Sequence, residues 1–352
     1  MKRVLIIGPR YFHFLSATAS AFRAEGWDPF VEGYDNPVHP YTGWMRVRWR
    51  VSRNRAALQA VSRTRYQTYI LRRFAACRPD LVFILNGDLL ETATLDAFRR
   101  TAKVALWLFD SLSKLPASAG HADHVDALFC FDRDDVAAYR AQGKQAFFLP
   151  QACDTDTFRP MPSARKEIDL LFVGNLYYSP RRKQLMNAVI AHFPERRIEV
   201  YGWYQPWFKG LVPWLKRPYK RIYKNRNLSG AQTNALYNRA KVVLNIHQEH
   251  QRDGANPRVF EICGAGAYQV CDRNPYIASL FPEGTVGLYD SEAELIERIS
   301  AALDGDTARP AAEACACVRQ RHSFRCRIAE MLTVVYPGGP VSDGSSLSIR
   351  PD

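Results

Sequence analysis

Short runs of apolar, β-branched and aromatic residues recur along the chain, and each ends in Gly, Asn, Asp or Pro. Val4–Ile7, Leu81–Leu85, Val104–Phe109, Ala127–Phe131 and Ala146–Leu149 make one series. Asp169–Val173, Ile198–Tyr201, Val242–Ile246, Tyr268–Cys271 and Val286–Tyr289 make a second. Between them lie longer stretches with apolar residues at helical spacing, such as Asn54–Cys77, Arg182–Phe193, Glu292–Leu303 and Ala311–Val334. Unbroken apolar runs imply strands covered on both faces. Their alternation with amphipathic segments implies parallel sheets flanked by helices. The pattern predicts an α/β protein.

The series restarts near Lys166, after the Pro-rich, weakly periodic stretch from Leu149 to Pro162. That stretch reads as a linker between two domains. The predicted boundaries are 1–150 and 151–336, with a Gly/Ser/Pro-rich tail at 337–352 expected to be disordered. A chain of 352 residues with 47% hydrophobic and 24% charged residues fits two ordinary cores, and excludes a fibrous or wholly disordered polymer.

The net charge of +13 is concentrated rather than spread. Arg46 to Arg65 holds seven Arg and no acid, and Pro206 to Arg226 holds seven Lys or Arg and no acid, so the remainder is near neutral. Local positive charge points to an anionic partner. Around the second segment, Trp203, Trp207, Phe208, Trp214, Tyr219 and Tyr223 interleave with the cations. That mixture suits the headgroup boundary of an anionic membrane, a polyanionic acceptor or a nucleic acid. A plain surface insertion with snorkelling Lys and Arg is the simpler alternative. No apolar stretch approaches the ~18 residues of a membrane span. Val4–Ile7 is too short for a signal peptide. A cytoplasmic protein is expected, with peripheral attachment to the inner membrane face through 206–226 as an option. The eight scattered Cys suggest reduced thiols, and Cys315-Ala-Cys317 lacks zinc-site spacing.

The second series carries ordered motifs. Asp169 to Val173 ends in Gly174-Asn175 and precedes Arg181-Arg182-Lys183 at a helix start. Arg197 to Tyr201 ends in Gly202-Trp203. Tyr237 to His247 leads to Asp253-Gly254-Ala255-Asn256-Pro257-Arg258-Val259-Phe260-Glu261, then Gly264 and Gly266. His322-Ser323-Phe324 and Arg327 close the series. In order and spacing these residues are similar to the donor half of GT-B glycosyltransferases, most of all the CgeB-like branch of glycosyl transferases group 1. The resemblance spans about Leu149 to Val334. It includes the linker residues Ala152-Cys153-Asp154 and Phe158-Arg159-Pro160. The N-terminal half resembles the family only through Arg78–Phe83 and Trp107–Asp110.

The resemblance implies a GT-B fold: two Rossmann-like, doubly wound domains facing an interdomain cleft, with the donor on the C-terminal domain and the acceptor on the N-terminal one. It implies a glycosyltransferase needing no metal or other cofactor. The sugar would pass from a nucleotide-sugar donor to a glycan, lipid-linked or protein acceptor, in bacterial surface polysaccharide or glycoconjugate assembly. Two other readings remain open. One is a nucleotide-sugar 2-epimerase-like enzyme sharing the donor half. The other is a basic nucleic-acid or membrane-binding module, with nucleic acid the less expected partner.

A diphosphate needs backbone N–H groups and cations. Gly174 and Asn175 would let the backbone approach it, the following helix start would face it, and Arg182 or Lys183 would add charge. Gly202 and Trp203 stand where the family places its nucleobase. Trp203 or Tyr204 would stack on the base, or else pack into the core. Glu261 would take the ribose hydroxyls, Arg258 the diphosphate, and Gly254, Ala255 and Asn256 would offer amides. An intrahelical Arg258–Glu261 pair is the alternative, since Pro257 suits a first helical turn. Asp253 precedes Glu261 by eight residues. It replaces the first Glu of the pattern found in retaining GT-B enzymes, so the stereochemistry stays open. An inverting enzyme would need a base. His13, Asp88 and Asp110 sit at strand ends, and Asp110 ranks first, with a turn-capping role as its alternative. Three lookalikes are discounted. Asp154-Thr155-Asp156 mimics a metal motif, His247 and His250 read as loop polarity rather than zinc ligands, and Asp132 reads as a helix cap.

Overall fold

The computed structural model describes residues 1–10, 13–34, 55–176, 179–203, 219–249 and 251–338. The chain divides into two compact units, Met1–Pro150 with Phe324–Asp352, and Gln151–Ser323.

The first unit holds β1 (Arg3–Pro9), α1 (Phe14–Ala24), β2 (Asp28–Tyr34), α2 (Arg55–Cys77), β3 (Leu81–Leu85), α3 (Thr92–Arg99), β4 (Lys103–Leu108), β5 (Ala127–Cys130), α4 (Arg133–Ala141) and β6 (Phe147–Phe148). The strands are parallel, in the order β2-β1-β3-β4-β5-β6. Val4–Ile7 and Val82–Ile84 are wholly buried, as two-sided coverage of inner strands requires. The apolar runs locate every strand but β2. Its sequence Asp-Pro-Phe-Val-Glu-Gly-Tyr breaks the hydrophobic pattern because it lies at the sheet edge, where Pro29 costs no needed hydrogen bond and the first four residues keep exposed surface.

The second unit holds β7 (Ile168–Val173), α5 (Pro180–His192), β8 (Ile198–Tyr201), α6 (Tyr219–Ile222), α7 (Gly230–Arg239), β9 (Ala240–Asn245), α8 (Pro257–Gly264), β10 (Tyr268–Asp272), α9 (Pro275–Leu280), β11 (Gly287–Tyr289), α10 (Glu292–Asp304) and α11 (Ala308–Arg321). Its sheet is parallel too, in the order β11-β10-β9-β7-β8. Leu185, Met186 and Val189 of α5 and Leu295 and Ile299 of α10 pack against Leu170, Phe172, Val242 and Leu244 of the sheet.

One boundary differs from expectation. The periodic stretch Ala311–Val334 is two helices, α11 and α12 (Phe324–Val335), and α12 belongs to the first unit. The second unit therefore ends at Ser323 rather than 336. The break is set by long-range pairing. Cys153 N–H donates to the His322 carbonyl at 2.8 Å, and Cys153 bridges Ser323. Beyond the break, Phe324 joins the rings of Phe14, Trp107 and Phe109, and buried Arg327 donates from Nε to the Pro150 carbonyl at 2.9 Å. The expected tail falls largely outside the described residues, as do residues 46–54 and 204–218 of the two basic segments.

Candidate functional site

In each sheet the chain reverses its direction of winding at one place. β7 lies between β8 and β9, and β1 lies between β2 and β3. Open parallel sheets bind ligands outside the strand ends at such a switch point, because the loops after the two flanking strands diverge there.

In the second unit the loop after β7 is braced by the loop after β8. Gly174 N donates to Tyr201 O at 2.8 Å, Leu176 N to Trp203 O at 3.0 Å, and Trp203 N to Asn175 Oδ1 at 2.9 Å. Half-buried Trp203 is thus held against Asn175 by its backbone. The close approach rests on Gly202, at φ +113°, where an added Cβ would lie 2.3 Å from Gly174 O. Gly202→Ala is expected to lower stability by at least about 2 kcal/mol through strain and overpacking, read as a shift of the urea midpoint.

The start of α5 is not the open phosphate cradle that the sequence suggested. Ser179 Oγ accepts from Arg182 N at 3.2 Å and donates to Glu249 Oε1 at 2.8 Å, and Arg181 N donates to Glu249 Oε1 at 3.4 Å. Pro180 has no N–H, and Lys183 N already reaches Ser179 O. The helix dipole thus meets a carboxylate of the protein itself. Arg182, only 4% exposed, donates from Nε to Ile246 O at 2.7 Å and from Nη1 to Asn175 O at 3.2 Å. Burial, then the charge of Arg258, pushes its pKa down to about 10. Arg182 therefore ties two loops together. Arg181 and Lys183 both keep partial exposure at this helix start, and Arg181 pairs with Asp272 at 3.0 Å. Of the two cations expected from the sequence, Arg182 and Lys183, the helix phase buries Arg182. Lys183 is half-buried one position further on.

The segment from 247 to 256 is also packed inward. Asn256 N–H, expected to face a phosphate, donates to His247 Nε2 at 3.2 Å. Asn256 Oδ1 caps α8 by accepting from Val259 N, and its amide pairs with Asn245. Gly254 and Ala255 are buried, with the Gly254 carbonyl accepting from Asn274 Nδ2 at 2.8 Å. Asp253, offered as a sugar contact, accepts from Tyr276 N at 2.8 Å in the first turn of α9, whose N-cap is Asn274. On α8 itself, half-buried Arg258 forms no ion pair among the described residues. Glu261 is 7% exposed, less open than expected of a group at the mouth of a site. Beside it lies the Tyr237 hydroxyl, which burial, then the Glu261 charge, keeps protonated and which has no hydrogen-bond partner among the described residues. Gly264 packs α8 tightly, since a Cβ there would lie 2.4 Å from Cys153 Sγ.

In the first unit the loops after β3 and β4 are clamped together. Asn86, at φ +63°, accepts from Phe109 N at 2.8 Å, and its carbonyl takes Ser118 Oγ at 2.6 Å. Asp88 and Asp110 are thereby brought close enough to interact. Asp88 accepts from Tyr34 Oη at 2.7 Å. Among the described residues no donor reaches the Asp110 carboxylate, and the turn it begins is capped by Asp135, which accepts from Leu112 N at 3.1 Å. The turn-capping alternative for Asp110 is therefore not what the fold uses. Burial, then repulsion from Asp88, raises the Asp110 pKa against the opposing charge of Lys114. His13 begins α1 and packs edge-on to Phe14, which packs edge-on to Phe109 next to Asp110.

With this geometry in hand, the relatives are informative. Residues 181–333 match the family described as glycosyl transferase-like. No curated protein matches the chain. Among solved structures, sucrose-phosphate synthase from Thermosynechococcus elongatus aligns with 94% of this chain and 97% of its own, at 13% identity and TM-score 0.66. The UDP-forming α,α-trehalose-phosphate synthase of Burkholderia vietnamiensis aligns with 95% and 97%, at 13% identity and TM-score 0.63. An Escherichia coli trehalose-6-phosphate structure bound with UDP-2-fluoro glucose aligns with 95% and 99%, at 12% identity and TM-score 0.63. The chain has the GT-B fold of these solved structures.

The discounted motifs have structural roles on this GT-B scaffold. Asp154 accepts from Asp156 N and Thr157 N and from Thr157 Oγ1, forming a turn in the linker. Asp132 caps α4 through Asp134 N. None of the eight cysteines is in a disulfide. His247 departs from the loop-polarity reading. It is buried beside Cys271 and Asp272, with potential ligand atoms within 4.8 Å of one another, while His250 lies outside the described residues. Of the aromatic and basic segment, the described part is tied to edge strand β8. Tyr223 bridges Val200, and Lys224 N donates to Val200 O at 2.9 Å. No helix among the described residues is long and apolar enough to cross a membrane.

Proposed function

We propose that the protein is a metal-independent glycosyltransferase that takes a nucleotide-sugar donor on its second unit. The observation that carries this reading is the β7/β9 switch point, whose β9 side, with α5 and α8, falls within residues 181–333 that match the glycosyl transferase-like family. There Arg258 opens α8, Arg181 stands at the start of α5, and Glu261 lies one turn beyond Arg258. Arg258 and Arg181 would hold the diphosphate, Glu261 the ribose, and Trp203 the edge of the base. The buried amides of 254–256 would shape the loop rather than bind phosphate. A uridine diphosphate sugar is the first donor to try, because structural neighbours are UDP-forming or hold a UDP sugar. Asp110 on the first unit would deprotonate the acceptor hydroxyl. The acceptor would be a glycan or lipid-linked glycan of bacterial surface assembly, with the basic segment 206–226 meeting its anionic surroundings.

Calorimetry with UDP, GDP, dTDP and ADP sugars tests the donor assignment. Tight binding of one base class, and nucleotide release that requires an added acceptor, is the expected result. Binding of none of the four removes the donor reading. Nucleotide release with no acceptor present would favour the epimerase-like alternative.

A further inference from the structure

We infer that His247 is a positioning residue for donor binding, acting through the cap of α8. The inference rests on the donor reading above. Its imidazole, 3% exposed, stands in a single chain of hydrogen bonds from α5 to α8. Arg181 Nη1 donates to Asp272 Oδ2 at 3.0 Å, and His247 Nδ1 meets Asp272 Oδ1 at 2.8 Å. At the other end of the ring, Asn256 N–H donates to Nε2 at 3.2 Å.

An amide N–H can only donate, so Nε2 must carry the lone pair and Nδ1 the proton. Asp272 Oδ1 accepts from the His247 backbone N–H as well, at 2.9 Å, which locks the ring orientation. The partners thus fix the ring orientation, with its Nε2 acceptor aimed at Asn256. Asn256 in turn caps α8 through Val259 N, and that first turn presents Arg258, with Glu261 one turn on. The two proposed phosphate cations are therefore hung from opposite ends of the same chain. The same tautomer argues against a metal among His247, Cys271 and Asp272. Nδ1, the nitrogen facing the other two groups, bears a proton, and burial raises the Cys271 thiol far above its ordinary pKa.

Two substitutions separate the ends of the ring. In His247→Asn the shorter amide keeps a donor toward Asp272 but no acceptor at the Asn256 N–H. In His247→Gln the longer amide restores that acceptor. Affinities for UDP, GDP, dTDP and ADP are measured by calorimetry alongside the urea midpoint. His247→Asn is expected to weaken the nucleotide that the wild type binds by about tenfold, and His247→Gln to restore it to within about threefold. Equal affinities in wild type and His247→Asn, or equal losses in both variants, would overturn the inference. Nitrogen-15 spectra supply a readout independent of nucleotide. The wild type should show a protonated Nδ1 and an unprotonated Nε2. The Asn256, Arg258 and Glu261 amides should shift in His247→Asn and return in His247→Gln. The opposite tautomer, or unmoved amides, would overturn it equally. Failure of all four nucleotides to bind the wild type, with the amide pattern as expected, would instead sink only the donor reading.

Discussion

Asp110→Asn is expected to cut turnover by roughly 10²- to 10⁴-fold while leaving nucleotide affinity unchanged, the usual cost of losing a general base. Single-turnover transfer and calorimetry on the same preparation check both halves. Turnover within about threefold of wild type would exclude Asp110 from this role. The pH dependence has a definite sign. A base works ionised, and burial, then Asp88, raises the Asp110 pKa. The acidic limb of kcat/KM should therefore lie above the ordinary carboxylate value of about 4. Asp88→Asn should move that limb to lower pH. Stability should change in the opposite sense to activity. With the folded-state pKa above the unfolded one, the folded chain binds the extra proton. Stability then falls as pH climbs from the unfolded value through the folded one, and the penalty is complete above it. Asp110→Asn removes that penalty, so the variant should have a higher urea midpoint than wild type at neutral pH. The two should converge below the unfolded carboxylate pKa.

Glu261→Ala should weaken nucleotide binding by roughly 10- to 150-fold for each charged hydrogen bond lost to the ribose. Because Glu261 lies buried near Cys153 and Tyr237, alanine also leaves a cavity, so Glu261→Gln is the companion variant. It keeps the volume and one acceptor oxygen and should fall between wild type and alanine. A nucleotide lacking both ribose hydroxyls closes the cycle, since all three proteins should bind it alike. A loss in Glu261→Ala that is as large for the deoxygenated nucleotide as for the parent would show that Glu261 supports the fold and does not touch the sugar.

The strands were legible because buried parallel strands need apolar residues on both faces, and runs such as Leu81–Leu85 and Ile198–Tyr201 have no other use. β2 was illegible for the complementary reason, since an edge strand tolerates Pro29, Glu32 and Gly33. Of the proposed site, motif order nominates Arg258 and Glu261, and the end of an apolar run nominates Asp110. Three cations in a row at a helix start, Arg181-Arg182-Lys183, could not be ranked. The helix phase within a single turn points Arg182 to the Ile246 carbonyl and leaves Arg181 and Lys183 partly exposed. Asp253 and Asn256 have the residue types of ligand contacts and of helix caps alike, and in the fold Asn256 caps α8 while Asp253 accepts from a first-turn amide of α9.

The alternation of apolar runs and amphipathic stretches determined by itself two parallel sheets and their flanking helices, because burying those faces leaves few other arrangements. Tertiary structure alone decided which polar groups the fold consumes. Glu249 closes the start of α5, Arg182 ties two loops and α12 returns to the first unit, each through a partner more than sixty residues away. Local spacing carries no record of a hydrogen bond made at that separation.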